Sequence, residues 1–167
     1  MSQFAVLIPL VEHEGEDQIL LTQRNADLPQ YSGQVSFPGG AYEPEDEDLR
    51  ATALRECFEE VGIRPEQVEI IAQFQWFETG LGHRVLPFAG RVRSPYDLRP
   101  SPAEVERIIF VPVALLQRDP FEIRGTFEDS SGNERTIYTF LFDDAEIWGL
   151  TARILRHVFV EGSFPFA

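Results

Sequence analysis

The chain has 167 residues, 43% of them hydrophobic, so it can bury a core without disulfides, and we expect one globular domain over residues 1–167. Its 28 acidic and 14 basic side chains give a formal charge of −14, which argues against nucleic acid and anionic membranes as partners. With a single cysteine, no basic leader before an apolar stretch and no long apolar run, we expect a cytoplasmic protein.

The first part of the chain predicts a hairpin followed by a loop. Residues 4–11 are almost wholly apolar, which is typical of a buried strand, and residues 18–24 predict a second strand after a polar turn. Residues 25–40 contain three glycines and two prolines among polar residues, so we predict a loop there, with one short strand at 34–37.

Residues 47–62 predict an amphipathic helix. Leu54, Phe58 and Val61 recur at i, i+4 and i+7, so we expect them to face the core while charged residues fill the opposite face. Gly62 then supplies a stop signal at the C-terminal end.

Strands predominate in the rest of the chain. They are predicted at 68–77, 84–92, 108–111, 121–127 and 136–142, the last two forming a hairpin. We predict a short helix beginning at 100–107 and a C-terminal helix at 146–160, whose inward residues are Ile147, Leu150, Ile154, Leu155 and Val158. A sheet covered by helices, a mixed α/β fold, accommodates these elements.

Three carboxylates share one face of the predicted helix 47–62. Glu56, Glu59 and Glu60 lie at i, i+3 and i+4, about 6 Å apart between Cβ atoms. Such a cluster is often only a solvated surface, but the preceding Gly39 and Gly40 let the backbone approach a bound metal or phosphate closely. Because Mg²⁺ and Mn²⁺ prefer oxygen ligands, the pattern favours a divalent-cation site.

The spacing of these residues resembles the Nudix box. Gly40, Glu47 and residues 55–63 (RECFEEVGI) match its fixed positions, although six residues rather than five separate Gly40 from Glu47. The resemblance implies a Nudix-type α/β/α sandwich with a mixed central sheet, and metal-dependent hydrolysis of a nucleoside diphosphate linkage.

The resemblance also assigns roles to individual residues. The implied metal ligands are the side chains of Glu56, Glu59 and Glu60 and the backbone carbonyl of Gly39. Glu47 and Arg55 are implied to form an ion pair that braces the loop against the helix. Cys57, between these ligands, is predicted to be a small core residue rather than a nucleophile.

Three further segments are similar to the coenzyme A diphosphatase branch of the family: residues 20–24 (LLTQR), 33–40 (GQVSFPGG) and 147–153 (IWGLTAR). They imply cleavage of coenzyme A or its thioesters to phosphopantetheine and adenosine 3′,5′-bisphosphate. Three positions depart from the branch pattern, namely Asn25, Pro29 and Tyr31. The alternatives are therefore a Nudix hydrolase for ADP-ribose or another dinucleotide, and a Nudix-like module that binds a nucleotide without cleaving it.

Each of the other candidate residues has two possible roles. Glu59 or Glu104 is the candidate general base, although Glu104 could equally be an exposed residue of a first helical turn. Arg24 could bind a substrate phosphate or pair with a surface carboxylate. Phe159 and residues 164–166 suggest either a homodimer contact or a disordered end.

Overall fold

The structure is a computed structural model that describes residues 2–162. Its strands are β1 (Gln3–His13), β2 (Glu16–Arg24), β3 (Val35–Ser36), β4 (Gly39–Ala41), β5 (Val68–Gln73), β6 (Phe77–Glu78), β7 (Arg84–Val92), β8 (Val105–Pro112), β9 (Glu122–Glu128), β10 (Glu134–Phe142) and β11 (Ala145–Trp148). Its helices are α1 (Leu49–Val61), α2 (Val113–Leu116) and α3 (Gly149–Arg156), with a 3₁₀ turn at Pro65–Gln67 and a π-helical turn at His157–Glu161.

The central sheet is mixed, as predicted. Its main path runs β3-β2-β1-β7-β5, and β4, β6 and β8 add to β1, β7 and β2. Strands β1 and β7 are parallel, whereas the other pairs in this sheet are antiparallel. A second sheet within residues 2–162, ordered β11-β10-β9, leads into α3.

Both faces of the central sheet are covered, which confirms the sandwich. Alternate residues of a strand point to opposite faces. Leu7 on β1 accordingly packs in a cluster with Cys57 of α1, whereas Ile8 packs in a second cluster with Ile154 of α3. The first cluster fixes the position of α1, whose residues Glu56, Glu59 and Glu60 form what we call the acidic face.

The strand predicted at 68–77 ends at Gln73, and residues 77–78 form the separate strand β6. Two predicted helices also differ in the structure. Residues 102–104 form a single turn closed by the amides of Glu104 and Val105 on the carbonyl of Ser101, and the chain then enters β8. A helix does not continue there because β8 pairs with β2 along its length. The C-terminal helix begins at Gly149, since β11 pairs with β10 instead.

The inward face of α1 also differs from the prediction. Phe58 is 48% exposed and Leu54 is only partly buried, whereas Ala53 and Cys57 are buried with Val61. Small side chains let the helix approach the sheet closely, and this sets the helical phase so that Phe58 points outward.

The suggestion of a dimer contact through Phe159 is wrong for that residue, because Phe159 is 6% exposed and belongs to the core beside α3. Residues 164–166 lie outside the described residues. Along residues 2–162, no helix is both long enough and apolar enough to cross a lipid bilayer.

Candidate active site

The loop before α1 approaches the acidic face at two glycines. Gly39 and Gly40 pair with Val6 and Ala5 of β1. A Cβ atom at Gly39 would lie 2.5 Å from the carbonyl oxygen of Ala5, and one at Gly40 would lie 2.5 Å from the carboxyl carbon of Glu56. Both positions therefore require glycine if the strand pairing and the Glu56 carboxylate are to stay in place.

Glu60 lies at the centre of the acidic face. It is 9% exposed, and its Oε2 atom accepts a hydrogen bond of 2.8 Å from the backbone amide of Gly39. Burial raises the pKa of Glu60 to about 8; the Gly39 hydrogen bond opposes the rise, and the charges of Glu56 and Glu104 add to it. The loop therefore donates a hydrogen bond to the Glu60 carboxylate, and α1 and the turn at residues 102–104, called the Glu104 turn, add negative charge near it.

Glu56 and Glu59 both contact Arg55 on the same helix. The Arg55 Nη1 atom lies 3.1 Å from Glu56 and 3.3 Å from Glu59. Burial raises the pKa of Glu56, Arg55 opposes this rise, and the charge of Glu59 adds to it. The Glu59 carboxylate is the more exposed of the two, at 52% against 17%. A guanidinium thus partly neutralises two of the three carboxylates.

The brace between loop and helix uses Asp46, so the prediction of a Glu47–Arg55 pair is wrong. Asp46 is buried, and its two carboxylate oxygens accept bonds of 2.8 and 3.0 Å from Nε and Nη2 of Arg55. Thr52 donates a further bond of 2.8 Å to Asp46. Glu47 is exposed, and it lies outside α1, directly before the N-cap residue Asp48.

Sequence reasoning missed Asp46, although one signal could have identified it. Counting from Gly40, five residues precede Asp46, which is the spacing of the Nudix box, whereas six precede Glu47. The extra residue lies between the loop acid and α1 rather than ahead of the acid.

The donor chemistry of this face suits a hard divalent cation. Glutamate carboxylates and nearby backbone oxygens are the ligands that Mg²⁺ and Mn²⁺ prefer. Among residues 2–162, however, no three acidic, histidine or cysteine side chains stand close enough to hold an ion together. Glu59 contacts Arg55 and Glu60 contacts the Gly39 amide, so in this arrangement both carboxylates are bonded to groups of the protein.

Glu104 lies on the turn at residues 102–104, which forms hydrogen bonds with the end of α1 and with the residue that follows β2. The amide of Ser101 donates to the carbonyl of Glu60 at 2.9 Å, which ties the turn to the end of α1. From the other side, the backbone amide of Asn25 donates to the carbonyl of Glu104 at 2.9 Å, and its side-chain amide donates to that of Pro102 at 3.1 Å. Asn25, one of the departures from the branch pattern, therefore holds the Glu104 turn.

Arg24 ends β2 next to the same face. Its Nε atom donates a bond of 2.9 Å to the carbonyl of Gln30, and its charge lowers the pKa of Glu60 against the larger effect of burial. Pro29 and Tyr31, in the loop that Arg24 closes, are exposed. The guanidinium is thus held near the acidic face by a neutral carbonyl.

The NUDIX domain model matches residues 1–130. An uncharacterized Nudix hydrolase NudL of Photorhabdus laumondii is 34% identical over 155 residues, 92% of this chain and 81% of that protein. Nudix hydrolase 22, chloroplastic, of Arabidopsis thaliana is 37% identical over 158 residues, 90% of this chain and 52% of that protein.

Solved structures give matches in the fold. A C. elegans Ap4A hydrolase binary complex matches with a TM-score of 0.57 at 24% identity, over 71% of this chain and 85% of that one. The NUDIX domain of Shewanella oneidensis NrtR complexed with ADP ribose matches with a TM-score of 0.52 at 21% identity, over 70% of this chain and 75% of that one. At these identities the structural matches bear on the fold alone.

Proposed function

The chain belongs to the Nudix family of hydrolases, and we propose that it cleaves the diphosphate linkage of a nucleoside derivative at the face formed by Glu56, Glu59 and Glu60. The observation that carries this proposal is the convergence on Glu60, which is buried and bonded to the Gly39 amide at 2.8 Å. A buried carboxylate beside two others is costly unless a cation offsets the charge.

Coenzyme A or one of its thioesters is the first substrate to test. It is supported by residues 20–24, 33–40 and 147–153, which resemble the coenzyme A diphosphatase branch. The products would be phosphopantetheine and adenosine 3′,5′-bisphosphate. ADP-ribose or a dinucleotide is the second candidate; proteins of this fold are named for ADP ribose and for Ap4A hydrolysis, which shows only that the fold serves such ligands. The departures at Asn25, Pro29 and Tyr31 weaken the first candidate without affecting the diphosphate chemistry.

When bound, Mg²⁺ or Mn²⁺ lowers the pKa of water and offsets charge on diphosphate oxygens. Glu56, Glu59 and Glu60 would hold the cation, together with the Gly39 carbonyl. Arg55, fixed by Asp46, positions the glutamates beside it.

The remaining steps need a proton acceptor and an anion-binding group. Glu104, or alternatively Glu59, accepts the proton of the attacking water. Arg24 binds a phosphate oxygen of the substrate, because a guanidinium matches phosphate geometry and the charge of Arg24 acts on Glu60.

The test is turnover of coenzyme A, ADP-ribose, NADH and diadenosine polyphosphates with Mg²⁺ or Mn²⁺. We expect Glu60→Gln to lower kcat/KM about 100-fold, as for loss of a metal-binding group, whereas Glu45→Gln, at an exposed position in the same loop, should match the native protein. Preference for coenzyme A would support the first candidate and preference for another compound the second. Turnover that is equal in Glu60→Gln would refute the site.

A further inference from the structure

A second candidate site lies beside β6, and no residue of α1 lines it. It is a cleft of about 430 Å³ between β6, the start of β7, the β9–β10 hairpin and α3. We call it the arginine cleft, after Arg84, Arg135 and Arg153 in its wall; Trp76 and Tyr138 also line it. Arg84 and Arg153 are partly buried and Arg135 is exposed, in a chain whose formal charge is −14.

Arg84 presents its charge from the first residue of β7. Its guanidinium carbon lies 4.0 Å from the centroid of the Trp76 ring, and the residue is partly buried. Stacking on an indole holds a guanidinium flat and leaves its N–H groups directed outward from the ring edge. Glu78 lies opposite Arg84 in the β6–β7 pair, but among residues 2–162 no carboxylate oxygen lies within 4.0 Å of the Arg84 guanidinium nitrogens.

Arg153 enters the cleft from α3. It lies 5.5 Å from the Phe77 ring centroid and 5.4 Å from that of Phe127, and it donates a bond of 2.5 Å to the carbonyl of Glu78. Its Nε atom is buried and has no hydrogen-bond partner among the described residues. Burial lowers the pKa of Arg153 and the charge of Arg135 lowers it further, while the charges of Asp129 and Glu78 oppose this only in part. The charge of Arg153 is therefore incompletely offset by the protein.

Within residues 2–162, four acidic residues line the cleft; Glu134 is exposed, and the carboxylates of the other three contact groups other than Arg84 and Arg153. Asp129 accepts bonds from Arg135 at 2.9 Å and from two backbone amides of its own hairpin. Glu78 accepts a bond of 3.0 Å from the amide of Ser130, and Glu161 pairs with Arg156 at 3.5 Å. The charges of Asp129 and Glu78 partly offset that of Arg153, but among residues 2–162 no carboxylate lies within ion-pair distance of Arg84 or Arg153.

We propose that the arginine cleft binds a phosphomonoester group through Arg84 and Arg153. A half-buried guanidinium without an anionic partner is costly, and an incoming phosphate supplies the missing acceptor. The phosphate belongs either to a remote part of the substrate or to a separate small molecule. That the phosphate belongs to the substrate rests on the proposed function, whereas binding of a phosphate in the cleft does not.

The binding test uses native protein in EDTA, so that cations cannot hold phosphate at the acidic face. We expect inorganic phosphate and adenosine 3′,5′-bisphosphate to bind saturably by calorimetry. Arg84→Gln and Arg153→Gln should each weaken this binding about tenfold or more, as for loss of a charge-assisted hydrogen bond. Arg64→Gln removes the same charge at an exposed position outside the cleft and should bind as the native protein does.

Absence of saturable binding to the native protein, or equal binding by Arg84→Gln, would overturn the proposal. Circular dichroism checks folding, and if Arg153→Gln is unfolded, Arg84→Gln decides alone. Because this arm needs no turnover, it is independent of the proposed function.

A kinetic arm identifies the source of the phosphate by comparing coenzyme A with 3′-dephospho-coenzyme A. If the phosphate belongs to the substrate, Arg84→Gln should raise KM for coenzyme A about tenfold and leave KM for the dephosphorylated compound unchanged. If it belongs to a separate molecule, both KM values should be unchanged while binding in EDTA is still weakened. Either result supports the cleft once the binding arm has been positive.

Discussion

Replacing Asp46 by asparagine removes the charge that faces Arg55 and keeps the size of the side chain. Breaking a fully buried ion pair costs about 3–5 kcal/mol. Arg55 is 24% exposed and still has Glu56 and Glu59 as neighbours, and asparagine retains one oxygen acceptor. We therefore expect Asp46→Asn to lower the free energy of unfolding by about 2 kcal/mol.

Urea denaturation followed by circular dichroism at pH 7 measures this loss. The matched control is Glu47→Gln, one residue further along the same loop, which should change the free energy of unfolding by less than about 0.5 kcal/mol because Glu47 is exposed. A larger loss for Glu47→Gln than for Asp46→Asn would refute the assignment of Asp46 as the brace.

The pH dependence of the same loss follows from the depressed pKa. The hydrogen bond from Arg55 holds the pKa of Asp46 well below its usual range. A carboxyl group with a lowered folded-state pKa stabilises the fold above its unfolded pKa of about 3.9, and this contribution is lost as the pH falls further. The difference between native protein and Asp46→Asn should be constant from pH 7 to about 5 and shrink below about pH 4.

Other substitutions test the remaining contacts. Gly40→Ala puts a methyl group against the Glu56 carboxylate, so Mn²⁺ affinity measured by calorimetry should fall about tenfold; unchanged affinity would contradict this. Asn25→Ala loosens the Glu104 turn and should lower kcat about fivefold, the equivalent of one hydrogen bond. In a Glu104→Gln background it should have no further effect, and an additive loss would exclude action through Glu104. Phe58→Ala should cost less than about 1 kcal/mol in urea denaturation because Phe58 is 48% exposed.

Local patterns predicted most of the long strands, but they did not predict β4 or β11. The strand predicted at 84–92 has the same bounds as β7. A strand buried on both faces of a sheet is a continuous apolar run, and the sequence alone shows where such a run begins and ends. The phase of α1 was predicted wrongly, since periodicity favoured the largest side chains, whereas close packing against the sheet selects Ala53 and Cys57. Local preference also favoured helix at residues 100–107, where pairing with β2 determines the structure.

The site was predictable to the extent that it lies on one helix. Helical spacing alone puts Glu56, Glu59 and Glu60 on one face. The partner of Arg55 depends on where the helix begins, which the sequence left uncertain by two residues. The arginine cleft joins Arg84 to Arg153, which are far apart in the chain, so only the tertiary structure reveals it.

The most direct test of the central claim is titration of the metal-free protein with Mn²⁺, followed by electron paramagnetic resonance of the free ion. Native protein and Glu45→Gln should bind Mn²⁺ equally, while Glu56→Gln and Glu60→Gln should each lose affinity about tenfold or more. Equal Mn²⁺ binding by all four proteins would contradict the claim that the acidic face of α1 holds the catalytic cation.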